Sequence, residues 1–116
     1  MTRPIRARES DGTTWEAPTD EQLHDLIADL NLRHRFLIVE RLASPDPQQH
    51  YIQVYLEDDL SHTVEHREGG PHAHYTARIP RDPTPWATEP VARVIASWAA
   101  DDDNWRDALP WQPLHL

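Results

Sequence analysis

The chain has no cysteine, no lysine and only three glycines in 116 residues, and each shortage removes a class of function. Without cysteine there is no disulfide framework, no thiolate metal site and no cysteine nucleophile, which suits a reducing cytoplasm. Three glycines cannot build a phosphate cradle, and there is no dinucleotide fingerprint, no Walker-type loop, no G-x-S-x-G elbow and no EF-hand. Cofactor enzymes are therefore disfavoured and no cofactor is expected. No run approaches the roughly 18 apolar residues of a membrane span, and the opening MTRPIRARESDGTT lacks the apolar stretch of a signal peptide. The expectation is a soluble, cytoplasmic protein. All 11 basic residues are arginine, set against 20 acidic ones, for a formal charge of -9. That balance argues against nucleic acid or an anionic membrane as partner and for a protein with a basic surface. Absent lysine beside abundant Arg, Ala, Pro and Asp points to a GC-rich bacterial genome. The length is that of one domain.

Histidine, by contrast, is concentrated. SHTVEHREGGPHAHY, residues 61–75, holds four of the eight histidines, and its HTVEH fits the zinc-protease pattern H-x-x-E-H. Two ligands four residues apart share a metal only on a helix, where they stand about 6 Å apart; on a strand they lie about 13 Å apart. Thr63, Val64, Tyr75 and Thr76 favour strand, and Gly69-Gly70 is a hairpin turn signal. Centring the turn there pairs Arg67 with His72, Glu65 with His74, Val64 with Tyr75 and His62 with Ala77. One face then carries His62, Val64, His66, Ala73, Tyr75, Ala77 and Ile79, and the other, wholly polar, faces solvent. His66, His72 and His74 gather near the turn, but cross-strand His/Glu and Arg/His pairs account for them without a metal. No zinc site is expected.

The remaining pattern predicts an α+β domain. Residues 1–18 read as a partly ordered leader in which Trp15 is either a cover over the core or an exposed contact; residues 19–116 form the domain. Thr19 to Gln22 spells a capping box, followed by Leu23, Leu26, Ile27 and Leu30 at helical spacing. RFLIVERLA and HYIQVYLED are the first two strands and the histidine hairpin supplies two more. After the prolines at 80, 83 and 85, Pro90 opens a second amphipathic helix with Val91, Val94, Ile95 and Trp98 inward. It runs into Asp101-Asp102-Asp103, which oppose its dipole, so either it stops near Ala100 or the repulsion is tolerated for a reason. The tail through Leu109-Pro110-Trp111 is expected to pack as an extended closing segment, with Trp98, Trp105 and Trp111 completing the core. The predicted fold is two-layer α-β-β-β-β-α, a four-stranded antiparallel meander with two helices on one face.

The strands RFLIVERL and YIQVY, and the ending SWAADDDNWRDALPWQPL with Leu109-Pro110-Trp111 followed by Leu114, resemble immunity-protein family one of bacterial polymorphic toxin systems, over residues 20–116. The resemblance implies a small acidic protein that neutralises a toxin domain such as a nuclease or nucleic-acid deaminase. Composition agrees, since a toxin acting on nucleic acid needs a basic cleft that an acidic inhibitor can plug. The expected function is thus a non-enzymatic immunity protein; a regulatory or chaperone-like scaffold is the alternative. Topology places loop 43–49, turn 68–71, the start of the first helix and the end of the second at one pole. The expected partner-binding residues are accordingly Asp20, Glu21, Asp46, Glu68, Asp101, Asp102 and Asp103.

Overall fold

A computed structural model describes residues 4–114 of the chain. The elements run β1 (Ile5–Glu9), β2 (Thr14–Glu16), α1 (Asp20–Ala28), β3 (Phe36–Arg41), β4 (His50–Leu56), β5 (His62–Glu68), β6 (His74–Ile79), α2 (Glu89–Ala99), α3 (Asn104–Ala108) and β7 (Gln112–Pro113). All strands join one antiparallel sheet in the order β2-β1-β3-β4-β5-β6-β7. The α+β class holds, but the four-stranded meander with two helices is corrected to seven strands and three α-helices among the described residues.

The additions share a physical trait: they are too short for periodicity to register. β1 (IRARE) sends only Ile5 and Ala7 into the core, and its alternate positions are arginines. β2 is three exposed residues, β7 two, and α3 five. Tertiary pairing makes these elements, with β1 lying along β3 from Ile5 opposite Arg41 to Glu9 opposite Leu37. Residues 5–16, read above as part of a leader, thus belong to the sheet. Trp15 on β2 is 37% exposed and donates its indole N–H to Glu9 Oε2 at 2.9 Å.

The longer elements follow their local chemistry. Thr19 Oγ1 accepts from Gln22 N at 3.1 Å while Gln22 Oε1 accepts from Thr19 N at 2.9 Å, the reciprocal capping box that starts α1. Leu23, Leu26 and Ile27 from α1 and Val91, Val94, Ile95 and Trp98 from α2 meet Leu37, Val39, Ile52, Val54 and Val64 from the sheet in one core. The helices therefore cover a single face. His24 Nε2 lies 3.1 Å from Glu89 Oε1, placing the middle of α1 beside the start of α2.

The β5–β6 hairpin forms, but in another register. Val64 stands opposite Ala77, His66 opposite Tyr75, and Arg67 opposite His74. The cause is the connection: Gly69 has φ +107°, a conformation glycine takes without penalty, and Pro71 then begins a 3-10 turn over Pro71–Ala73. Five residues, not two, link the strands, and the pairing moves by two. A two-residue slip preserves sidedness, so the core-facing set survives. The other face is not simply solvated, however. His74 is 3% exposed and Glu40 5%. HTVEH lies on a strand, and among the described residues no group of three or more His, Cys, Asp or Glu side chains is placed to hold a metal. No helix among them is long and apolar enough to cross a membrane.

Candidate functional site: an acidic end with an apolar groove

The ends of β3 and β5 and the starts of β4 and β6 define one end of the sheet. Two bonds bring the helices to it. Arg41, last in β3, donates Nη2 to Trp98 O at 2.9 Å, tying the last turn of α2 there. Ala17 N donates to Ile5 O at 3.0 Å, and Ile5 pairs with Arg41, so α1 starts at that end too. All seven carboxylates singled out from the sequence fall at this end.

Their local settings differ. Asp46 caps the 3-10 turn Pro47–Gln49 by accepting from Gln48 N at 3.2 Å. Asp20 and Glu21 occupy the exposed first turn of α1, where the helix dipole favours them. Glu68, half-buried at the end of β5, pairs with Arg106 Nη1 at 2.8 Å, and Asp103 reaches the same guanidinium at 3.4 Å. Arg106 thus joins the hairpin to α3, its guanidinium lying 4.3 Å from the centre of the Trp105 ring.

Asp101-Asp102-Asp103 do not stand in uncompensated conflict with the α2 dipole, as the sequence suggested. Asp101 takes the left-handed conformation, φ +59°, just beyond the helix. Its N–H bonds Trp98 O at 3.1 Å and that of Asp102 bonds Ser97 O at 3.3 Å, the paired bonds of a Schellman ending. Asp101 also lies 3.4 Å from Arg41 Nη2, the cation that the dipole lacks in sequence. Asp102 accepts from Ser97 Oγ and, at 3.0 Å, from Asn104 N. Those two bonds hold its carboxyl below the usual carboxylate range, so it is ionised at neutral pH. Asp103 is the N-cap residue of α3. The backbone of this turn explains why three short acceptors follow one another. Their charge nevertheless stays in water, with Asp101 and Asp103 side chains 84% and 91% exposed.

Between α2, α3 and the first turn of α1 runs a groove of about 510 Å³. Pro90, Val94, Trp105 and Leu109 give it apolar walls; Ala96, Ala100 and Ala108 leave it open; Asp20 and Asp102 stand on its rim with Arg93. The sequence reading missed this feature because α3 was not foreseen. The sequence carried no distinct signal for it: Ala96 and the C-cap residue Ala100 line the groove, but Ala92 and Ala99 on the same helix are buried.

His66, on the core face of β5, is 3% exposed. It stacks on Tyr75 with centroids 5.0 Å apart and meets Trp105 and Trp111 edge-on at 4.7 and 4.5 Å. Its Nδ1 has no hydrogen-bond partner among the described residues, Glu68 Oε1 standing 3.6 Å away. Burial, the largest cause, pushes its pKa down to about 4. It is a neutral packing residue under Trp105, not a base presented to a substrate. No protein-family model, curated protein or solved structure matches the chain.

Proposed function

We propose that the chain is a non-enzymatic binding protein of the immunity type, which occludes the active site of a cognate toxin acting on nucleic acid. The observation that supports this best is the gathering of exposed carboxylates around an open apolar groove at one end of the molecule. Charge supplies steering toward a basic cleft, and the groove supplies desolvated contact once the partner arrives. The overall charge of -9 acts in the same direction.

The test begins with recovery of the partner by affinity purification from native cells and its identification by mass spectrometry. Association is then followed by stopped flow with wild-type protein and with the triple variant Asp101→Asn, Asp102→Asn, Asp103→Asn. Asparagine keeps the side-chain acceptor and tolerates the left-handed backbone at 101, so the turn is preserved while three charges go. The variant should associate about tenfold more slowly at low salt, with the difference shrinking as salt rises. Association at the wild-type rate in low salt would remove this end from consideration. A partner without a basic surface would remove the toxin reading.

A further inference from the structure

The groove between α2 and α3 carries more information about the partner than the charges do. We propose that it seats one face of an amphipathic helix from the partner, an apolar side chain entering between Val94, Trp105 and Leu109 while flanking arginine or lysine side chains meet Asp20 and Asp102. This deepens the reading of the chain as a binding protein and rests on it.

Four observations lead there. The space, about 510 Å³, is the size of ligand-binding clefts, roughly 300–1,000 Å³. Its rim residues Arg93, Ala100, Asn104 and Ala108 are exposed, so it is a groove and not a closed pocket. A groove suits side chains projecting from a larger body better than a small molecule needing near-complete enclosure.

Its walls are also held in place. Trp105 donates its backbone N–H to Ser97 Oγ at 2.9 Å, and its carbonyl accepts from Trp111 Nε1 at 3.0 Å. Its ring packs against His66 and Trp111. Collapse of α3 onto α2 would break these contacts, so the opening is preorganised and the ordering cost of binding is small. Finally, the rim has two carboxylates against one guanidinium, and adding the chain neighbours Glu21, Asp101 and Asp103 together with Arg41 and Arg106, which pair with the last two, leaves the region net acidic. That potential selects basic flanks and repels acidic ones.

The probes are synthetic helical peptides of about 20 residues, long enough to hold helical structure. The first has leucines at i, i+3 and i+4 with arginine flanks; the second replaces arginine by glutamate, and the third replaces leucine by serine. Each is titrated to millimolar concentration into the ¹⁵N-labelled full chain, followed by amide shifts. The arginine–leucine peptide should shift the amides of Val94, Ser97, Ala100, Trp105 and Leu109. Binding should weaken at least about tenfold for either altered peptide, and equally for Ala100→Phe, which fills the groove without changing charge. Ala108→Phe serves the same purpose should Ala100→Phe disturb the fold. The proposal falls if the first peptide binds nowhere, if its shifts centre on the exposed Leu32, Leu60 or Trp86, if the serine peptide binds as well, or if both folded groove-filling variants bind as wild type. The groove and the toxin reading can fail separately. If Ala100→Phe leaves native-partner association intact while the triple asparagine variant slows it, the groove alone is wrong. Peptide docking in the groove with no basic partner recovered from cells would sink the toxin reading alone.

Discussion

His66 and His74 lie on opposite faces of the same hairpin, and both are 3% exposed, yet they are accommodated by opposite means. His66 faces the helices and is enclosed by Tyr75, Trp105 and Trp111, with Nδ1 making no hydrogen bond among the described residues. His74 faces away from the helices and is held by polar bonds: Arg67 Nε donates to Nδ1 at 3.0 Å, and Nε2 lies 2.7 Å from Glu65 Oε1. Arginine can only donate, so Nδ1 of His74 accepts and Nε2 carries the proton toward Glu65. Arg67 is itself fixed by Gln49 Oε1 at 2.7 Å. Burial of a histidine thus says little until the fate of its two nitrogens is known. One ring is used for its shape, the other for its hydrogen bonds.

The sharpest way to break this contrast is to keep the shape and delete the nitrogens. His66→Ala empties a site among three rings and should cost about 3–4 kcal/mol in urea unfolding at pH 7.5. His66→Phe retains a flat ring and removes a ring nitrogen, Nδ1, that makes no hydrogen bond among the described residues, so it should stay within about 1 kcal/mol of wild type. A phenylalanine variant as damaged as the alanine one would show that the His66 nitrogens make bonds the ring picture omits.

Acid gives the next largest effect. Burial lowers the His66 pKa from 6.5 to about 4 in the folded chain, so the unfolded chain takes up its proton first as pH falls. The stability that neutral His66 contributes is complete above about pH 6.5 and is lost progressively toward pH 4, for a total of about 3 kcal/mol. His62 and His50 are also lowered, mainly by burial, and add in the same sense. Unfolding free energy measured from pH 7.5 to 4.5 should therefore fall for the wild type and fall much less for His66→Phe. Parallel curves for the two proteins would place the acid-sensitive group elsewhere.

On the outer face the same substitution should behave differently. His74→Phe leaves Arg67 Nε and Glu65 Oε1 without the partner that joined them under partial burial, at a cost of about 2 kcal/mol. The ordering His74→Phe worse than His66→Phe, read from urea midpoints at one pH, is the outcome that matters. The reverse ordering would mean that the polar network is dispensable and the aromatic enclosure is not.

How much of this the sequence disclosed follows from the lengths over which its signals act. The capping box at Thr19, the amphipathic faces of α1 and α2 and the strands β3 and β4 each span enough residues for period and cap to agree, and each formed. The sidedness of the hairpin was also legible, because alternation is local and survives a shift of two. Its register was not. Gly69-Gly70 was read as the whole turn, whereas Pro71 lacks an N–H for the ladder and opens a 3-10 turn. The ring enclosure of His66 was hidden for a further reason: Trp105 and Trp111 arrive through α3 and the segment after it, about 40 residues along the chain. The acidic end was partly legible, since strand direction alone places its loops. The groove beside it was not, because it exists only between α2 and an element five residues long.

The finest test of the outer face concerns its charge. If His74 is the neutral ring that the Arg67 bond implies, Glu65 serves it as a hydrogen-bond acceptor and not as the anionic half of an ion pair with it. Glu65→Gln then keeps an acceptor oxygen for Nε2–H and should cost less than about 1 kcal/mol, with little dependence on salt. Glu65→Ala, which removes the acceptor while leaving the ring in place, should cost more than Glu65→Gln. A large loss in the glutamine variant that salt reproduces in the wild type would mean that His74 is an imidazolium. Arg67 Nε could not then donate to it, and the two faces of the hairpin would differ in charge as well as in hydrogen bonding.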